Sequence, residues 1–125
     1  MTVRAGERGQ ATVELALALP VVVVLLLLVL QVGLVARDQL LVAHAAREAA
    51  RAAAVDARPG AATTAARHSG PLDPGRLTVA TSGRDGPGSV VVVDVDYRAP
   101  TDVPLVGPLV RDVDLHARVA MRVER

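Results

Sequence analysis

An uncharged apolar run near the N-terminus limits, more than any other feature, how this chain can fold. From Leu15 to Ala36 there are 22 residues without a charged side chain, and Gln31 is the only strongly polar one. An α-helix of that length rises about 33 Å, enough to cross a hydrocarbon core of about 30 Å. Residues Val21–Leu30 are all Val or Leu, so a helix there has no polar face. The sequence therefore predicts a transmembrane helix over residues 10–36.

A cleaved signal peptide is the alternative interpretation of this run. Its apolar region would be about 7–15 residues long and would end at a small-x-small site. The run here is longer, and Leu34 stands where such a site needs a small residue. Arg residues lie on both sides of the run, so the positive-inside rule gives no orientation. Because long C-terminal domains are translocated largely regardless of charge, we expect a cytoplasmic N-terminus and an exported C-terminal part.

The composition argues against several classes of function. The chain has no Cys, which excludes disulfides and cysteine nucleophiles. Its net charge is only +1, with one Tyr and no Phe or Trp, so we expect no nucleic-acid binding. The three His residues, His44, His68 and His116, lack the spacing of metal ligands. We therefore expect no metal, no cofactor and no enzymatic activity.

The helical pattern continues beyond the apolar run. Residues 37–58 are rich in Ala, and charged residues return at intervals of three and four, before Pro59-Gly60 ends the pattern. The sequence predicts one helix from Ala11 to Ala57, with its second half exported. Pro20 lies within this helix and cannot donate to the carbonyl of Ala16, which predicts a local kink.

The period of the apolar residues changes from 3.6 to 2 in the second half of the chain, which indicates strands. A small sheet with one apolar face needs a cover, and the Ala-rich part of the helix is the available element. The sequence therefore predicts an α+β fold, in which the long N-terminal helix packs against a three-stranded antiparallel sheet in a head over residues 76–125. The predicted segments are the linker 59–75, the strand Leu77–Thr81, the turn 82–88, the strand 89–98, the loop Pro100–Pro108 and the strand 113–123.

Two pairs of carboxylates and three Arg residues fall on similar faces of the predicted strands. Paired carboxylates can catalyse acid–base chemistry or bind calcium, but the neighbouring Arg residues favour a solvated surface of cross-strand ion pairs. The Gly83–Gly88 turn has no helix behind it and no Lys, which argues against phosphate binding. The charged residues concerned are Asp94, Asp96, Arg98, Asp112, Asp114, Arg118 and Arg122.

The most informative spacing lies at the start of the apolar run. Gly9 is followed five residues later by Glu14, and the run begins immediately after that carboxylate. An acidic residue costs about 2.5–3.5 kcal/mol at the centre of a membrane helix and less near its edge. Such a carboxylate persists more readily if it gains a positively charged partner.

This N-terminus resembles that of type IV prepilins, and most of all that of the TadE-like pseudopilins of tight-adherence (Tad) pilus systems. The resemblance lies in the Arg8-Gly9-x-x-x-x-Glu14 start, the Val13-Glu14-Leu15-Ala16 run and Pro20, six residues after the Glu. The chain end, Ala120–Glu124, is similar to the short C-terminal strand of these proteins. Early Pro20, and Gln10 where many pilins have Phe or Met, depart from the usual pilin pattern.

The resemblance implies that a prepilin peptidase removes a leader, residues 1–9, by cutting between Gly9 and Gln10. Gly9 would supply the scissile carbonyl and Gln10 the new terminal amine, while Glu14 would be the assembly carboxylate that neutralises the amine of a neighbouring subunit. The implied partners are membrane lipid, the peptidase, other pilin or pseudopilin subunits and the pilus assembly machinery. The implied function is that of a single-pass, membrane-anchored pseudopilin or minor pilin, a candidate component of a surface pilus.

A second interpretation is a single-pass membrane anchor that carries a small binding or accessory domain of an envelope secretion complex. It needs no cleavage and gives Glu14 only an interfacial position. Replacing Glu14 by Gln would then leave assembly unchanged, whereas the pilin interpretation predicts impaired assembly. A membrane-tethered enzyme is a third interpretation, without a nucleophile–base pair or metal cluster to support it.

Overall fold

The long helix, α1, spans Ala5–Val55 in the computed structural model, which describes residues 5–124. It begins earlier than the predicted Ala11. Ala5, Glu7, Arg8 and Gln10 are good helix formers, and the helix tolerates Gly6 and Gly9, each of which costs about 1 kcal/mol relative to Ala. The helix continues through Pro20 without a break, and a kink there stays a prediction. Residues 1–4 of the predicted leader lie outside the described residues.

The segment between the long helix and the sheet is more ordered than its composition predicted. A second helix, α2, spans Ala61–His68, and a 3₁₀ turn spans Pro74–Arg76 inside the segment predicted to be a linker. Gly60, with φ 86°, occupies the left-handed region in front of α2, a conformation that glycine adopts without strain. Ala62 and Ala66, four residues apart on one face of α2, are buried. Burial of these two side chains therefore stabilises this short helix. The Pro and Gly content of the segment, from which a linker was predicted, does not indicate such burial.

As predicted, three strands form one antiparallel sheet, and the structure shows that the second strand lies between the first and the third. They span Leu77–Ser82, Val90–Ala99 and Val113–Arg122. The register between the second and third strands places Val93 opposite Val119 and Asp94 opposite Arg118. Because side chains alternate across a strand, this register puts the apolar residues on one face and the charged residues on the other.

The apolar face of the sheet and the Ala-rich part of α1 share one core, which confirms the predicted α+β arrangement. Small Ala side chains allow the sheet to approach the helix closely, and Tyr97, the single aromatic residue, is buried among them. The tyrosine hydroxyl accepts a hydrogen bond from the backbone N–H of Asp73 at 3.4 Å. The central core residues are Val42, Ala45, Ala46, Ala49, Ala50, Ala53, Ala54, Val91, Val93, Val95 and Ala99.

The C-terminal end of α1 is bound by parts of the chain that are distant in sequence. Arg84, in the turn between the first two strands, donates from Nη1 to the carbonyls of Ala53 and Asp56, the latter at 2.7 Å. The backbone N–H of Glu124 donates to the carbonyl of Ala54 at 3.2 Å. A positive charge at this end also complements the helix dipole. These contacts satisfy carbonyls that have no partner within a helix.

The chain divides into two compact units. One consists of α1 up to Gly33 together with the segment Thr101–Arg111. The other consists of residues 34–100 and the chain from Asp112 onward, and it contains the whole helix–sheet core.

Candidate membrane span and processing site

The first half of α1 is exposed and strongly apolar. The helix from Gly9 to Val55 contains a window with a mean hydropathy of 3.0, none of which is buried within the protein. Leu17 and Val29 are 71% and 70% exposed. Soluble monomers rarely expose continuous apolar patches above a few hundred Å². Length, composition and exposure together make this helix a candidate membrane span.

The helix places the three residues of the predicted processing and assembly site near one another. Gly9, Gln10 and Glu14 all lie on α1 and are all exposed. Gln10 and Glu14 are four residues apart, so they share one face of the helix and are separated by about 6 Å along its axis. A Cβ added to Gly9 would meet no atom within 4 Å, so the described structure does not require glycine at this position for packing.

Gln31 is buried although it lies in the apolar run. It is only 6% exposed, and neither its side-chain oxygen nor its side-chain nitrogen has a hydrogen-bond partner. The neighbouring residues on either side in the chain, Leu30 and Val32, are exposed. Gln31 is recognisable in the sequence as the one strongly polar residue of the apolar run, but its burial could not be predicted from the sequence.

The polar face of the sheet carries cross-strand ion pairs, as predicted. Arg118 Nε donates to Asp94 Oδ1 at 2.6 Å, and His116 Nδ1 lies 2.8 Å from Asp96 Oδ1. Arg98 and Asp114 form a third pair between the same strands, Arg76 bonds Asp112 at 3.0 Å, and Arg122 is opposite Val90 at the strand end. The hydrogen bond from the Arg118 guanidinium lowers the pKa of Asp94 below its ordinary value, and the carboxylate in turn raises the pKa of Arg118.

The described residues hold no group of three or more side chains that could bind a metal ion. The three His residues lie on three different elements, as predicted: His44 on α1, His68 on α2 and His116 on the third strand. His68 Nδ1 is 2.8 Å from the carbonyl of Thr64 in its own helix.

Asp56, the residue directly after α1, has a carboxyl group whose pKa is strongly lowered by its contacts with Arg58. Arg58 donates to Asp56 from its guanidinium, with Nη2 to Oδ2 at 2.6 Å, and from its backbone N–H at 2.9 Å. These bonds, the side-chain one first, lower the pKa of Asp56 to about 2 from an ordinary value of 3.8. Because the folded-state pKa is the lower one, the contact stabilises the fold fully above the unfolded value and loses its effect as the pH falls through about 2.

We therefore expect the difference in Tm between the wild type and an Asp56→Asn variant to stay constant near neutral pH and to shrink between about pH 4 and pH 2. Thermal unfolding followed by circular dichroism in detergent measures this difference. In an Arg58→Gln background the pH-dependent effect of the same substitution should be smaller, because the guanidinium bonds are lost while the backbone N–H of residue 58 still donates to Asp56. A wild-type advantage that persists unchanged down to pH 2 would contradict the assignment.

Comparison with known proteins finds a family that most of α1 resembles. The family model described as TadE-like protein matches residues 9–51. The matched range begins at Gly9, includes Glu14, Pro20 and the entire apolar run, and ends within the Ala-rich part of α1. Searches of curated proteins and of solved structures returned no match. The resemblance of this chain to TadE-like proteins is thereby confirmed over residues 9–51.

Proposed function

We propose that this chain is a membrane-anchored pseudopilin or minor pilin that contributes, without enzymatic activity, to the assembly of a Tad-type pilus. The observation that carries the proposal is the TadE-like match over residues 9–51, on a helix whose apolar window is entirely unburied. In this proposal the apolar run anchors the chain in the cell membrane, with a cytoplasmic N-terminus. The exported unit, with its helix–sheet core, is the part that can join other subunits.

The proposed processing step is cleavage after Gly9 by a prepilin peptidase. Gly6 and Gly9 both weaken the first turns of the helix, which facilitates local unwinding around the peptide bond that must be cut. Cleavage would place the new amine of Gln10 at the helix N-terminus and Glu14 close behind it. A carboxylate in that position is favoured by the helix dipole. Removing the leader also removes Arg4 and Arg8, positive charges that hold the end of the helix at the cytoplasmic surface.

The proposed assembly step is charge pairing between subunits. An α-amino group has an ordinary pKa of about 7.7–8.0 and is therefore mostly protonated near neutral pH. A carboxylate and an amine at the edge of the membrane are both costly when unpaired. When helices bundle, the Glu14 carboxylate of one copy can pair with the Gln10 amine of another, so that pairing favours assembly and sets the offset between neighbouring helices.

Intact-mass analysis of the protein extracted from its native membranes tests the processing step. We expect the wild-type chain to lack residues 1–9 and a Gly9→Leu variant to retain them. Gly6→Leu is the matched control, since a Cβ at Gly6 also meets no atom within 4 Å, and this variant should still be processed. A wild-type chain that keeps its leader in the presence of the peptidase would overturn the processing proposal.

One observation favours the second candidate function, a membrane anchor with an accessory domain of an envelope secretion complex. Residues 34–100 and the chain from Asp112 form a compact unit with a core of their own, as a binding domain would. This function requires neither cleavage nor the Glu14 charge. Normal recovery of partner proteins with an uncleaved chain would support it over the pilin function.

A further inference from the structure

The connection between the second and third strands contains a loop whose composition resembles that of the membrane span. Residues Val103–Val110, which we call the apolar loop, have only Val, Leu, Pro and Gly, and charged residues stand on either side, at Asp102 and Arg111. Val103 and Val106 are buried, whereas Leu105 and Leu109 are 63% and 81% exposed. Two valines of the loop, Val103 and Val106, are thus covered, whereas its leucines are exposed.

Part of the backbone of the apolar loop is hydrogen-bonded within the loop itself. Pro104 and Pro108 have no N–H to satisfy. The N–H groups of Val106 and Gly107 donate to the carbonyl of Val103, and those of Leu109 and Val110 donate to the carbonyl of Val106. Unpaired backbone groups are what exclude most irregular segments from the hydrocarbon region of a membrane. Four of the six N–H groups of this loop are paired in this way, and the carbonyls of Val103 and Val106 accept these bonds.

Leu105 adopts a backbone conformation that disfavours its own side chain. Its φ of 66° lies in the left-handed region, where Gly or Asn is the usual residue and a bulky side chain is strained. The fold nevertheless places a leucine there, with its side chain exposed. In a loop surrounded by water, no burial of the leucine side chain would offset the free-energy cost of this strained backbone conformation.

The apolar loop belongs to the same compact unit as most of the apolar run. That unit joins Thr101–Arg111 to α1 up to Gly33, and Gln31 is a buried helix residue near the end of this part of α1. Gly33 precedes Arg37, the first charged residue after the apolar run, by four residues or about 6 Å of helix. The part of the helix grouped with the loop is therefore the part that we assign to the bilayer.

We propose that the apolar loop inserts into the outer leaflet of the membrane beside the span and forms a second lipid contact of the exported part. The distance of about 6 Å along the helix between Gly33 and Arg37 agrees with this proposal, because interfacial apolar segments are buried about 5–10 Å below the membrane surface. Leu105, Leu109 and Val110 enter the acyl chains, and Asp102 and Arg111 remain at the level of the headgroups. The inference rests on the proposed membrane anchoring, since a chain outside the membrane would have no lipid beside the loop.

Fluorescence quenching in liposomes tests this contact on the full-length chain, which has no cysteine of its own. A nitrobenzoxadiazole probe is attached to Leu109→Cys, with Val110→Cys as a second variant in case the first does not fold. Val29→Cys marks the span, and Val55→Cys, 52% exposed at the end of α1, marks the aqueous side. Each labelled protein is placed at low density in phosphatidylcholine vesicles, where nitroxide-labelled acyl chains quench from the lipid and iodide quenches from water.

We expect the probes at Leu109 and Val110 to behave like the probe at Val29, with quenching by the labelled lipid and loss of most iodide quenching relative to Val55. Lipid quenching at Val29 combined with strong iodide quenching at the loop would overturn the insertion and leave the anchoring intact. Loop probes shielded from both quenchers would also overturn it, since another protein surface would then cover the loop. Absence of lipid quenching at Val29 would overturn the anchoring itself, and with it the inference.

Discussion

Replacing Glu14 by Gln is expected to remove the chain from assembled pili while leaving it processed and in the membrane. Gln has the same shape as Glu but no charge, and Glu14 is exposed on its helix, so the substitution should not disturb the fold. In the assembly, however, the amine of the neighbouring copy loses its partner. Leaving one member of a desolvated ion pair unpaired costs about 3 kcal/mol, which corresponds to a more than hundredfold weaker association per contact.

The measurement is the ratio of chain in sheared pili or pilus complexes to chain in the membrane, determined by immunoblotting together with the intact mass. Glu124→Gln is the matched control, because it removes one exposed carboxylate at the far end of the chain and should leave the ratio unchanged. Equal incorporation of Glu14→Gln and the wild type would contradict the pairing. That result would favour the accessory-anchor function, in which Glu14 has only an interfacial position.

Replacing Ala49 by Leu is expected to destabilise the unit that contains the helix–sheet core. Ala49 is fully buried in the core that α1 shares with the sheet. Overpacking a well-packed core costs about 1–3 kcal/mol, and helix propensity does not offset it, since Ala is already the best helix former. For a small domain, a loss of 1 kcal/mol lowers Tm by about 4–8 °C, so a decrease of order 10 °C is expected.

Arg51→Leu is the control for this substitution, because it introduces the same leucine on an exposed position of the same helix, two residues away. Thermal unfolding of the strand signal by circular dichroism in detergent compares the two variants. If both unfolded at the same temperature, the close approach of helix and sheet through Ala would be contradicted.

The strands and the long apolar helix could be predicted because their signals are local. Twenty-two uncharged residues make a helix long and apolar enough to cross a bilayer, and alternation along 113–123 marks the inward face of a strand directly. The buried side chains of Val91, Val93 and Val95 follow this alternation. The N-terminal motif was equally local, since Gly9 and Glu14 are separated by little more than one turn of helix.

The features that were missed depend on distant residues. The predicted linker contains α2 because Ala62 and Ala66 are buried in the core. The sequence of this segment, rich in Ala and Thr, does not indicate that burial. Arg84 binds the end of α1 from a turn about thirty residues away. The apolar loop was predicted only as a Pro-marked connection, and nothing in its own sequence indicated that it shares a compact unit with α1 up to Gly33.

Local order in this protein thus follows from its residue pattern, because helix, strand and membrane insertion depend on periodicity and hydropathy over a few turns. Three other features depend on folding in three dimensions. They are which side chains are buried, how the end of α1 is capped, and which part of α1 shares a compact unit with the apolar loop. These features depend on which surfaces pack against each other and thereby exclude water. Such surfaces are formed by residues that are far apart along the chain. Gln31 illustrates the difference: its place in an apolar run is evident from the sequence, and its burial is evident only from the fold.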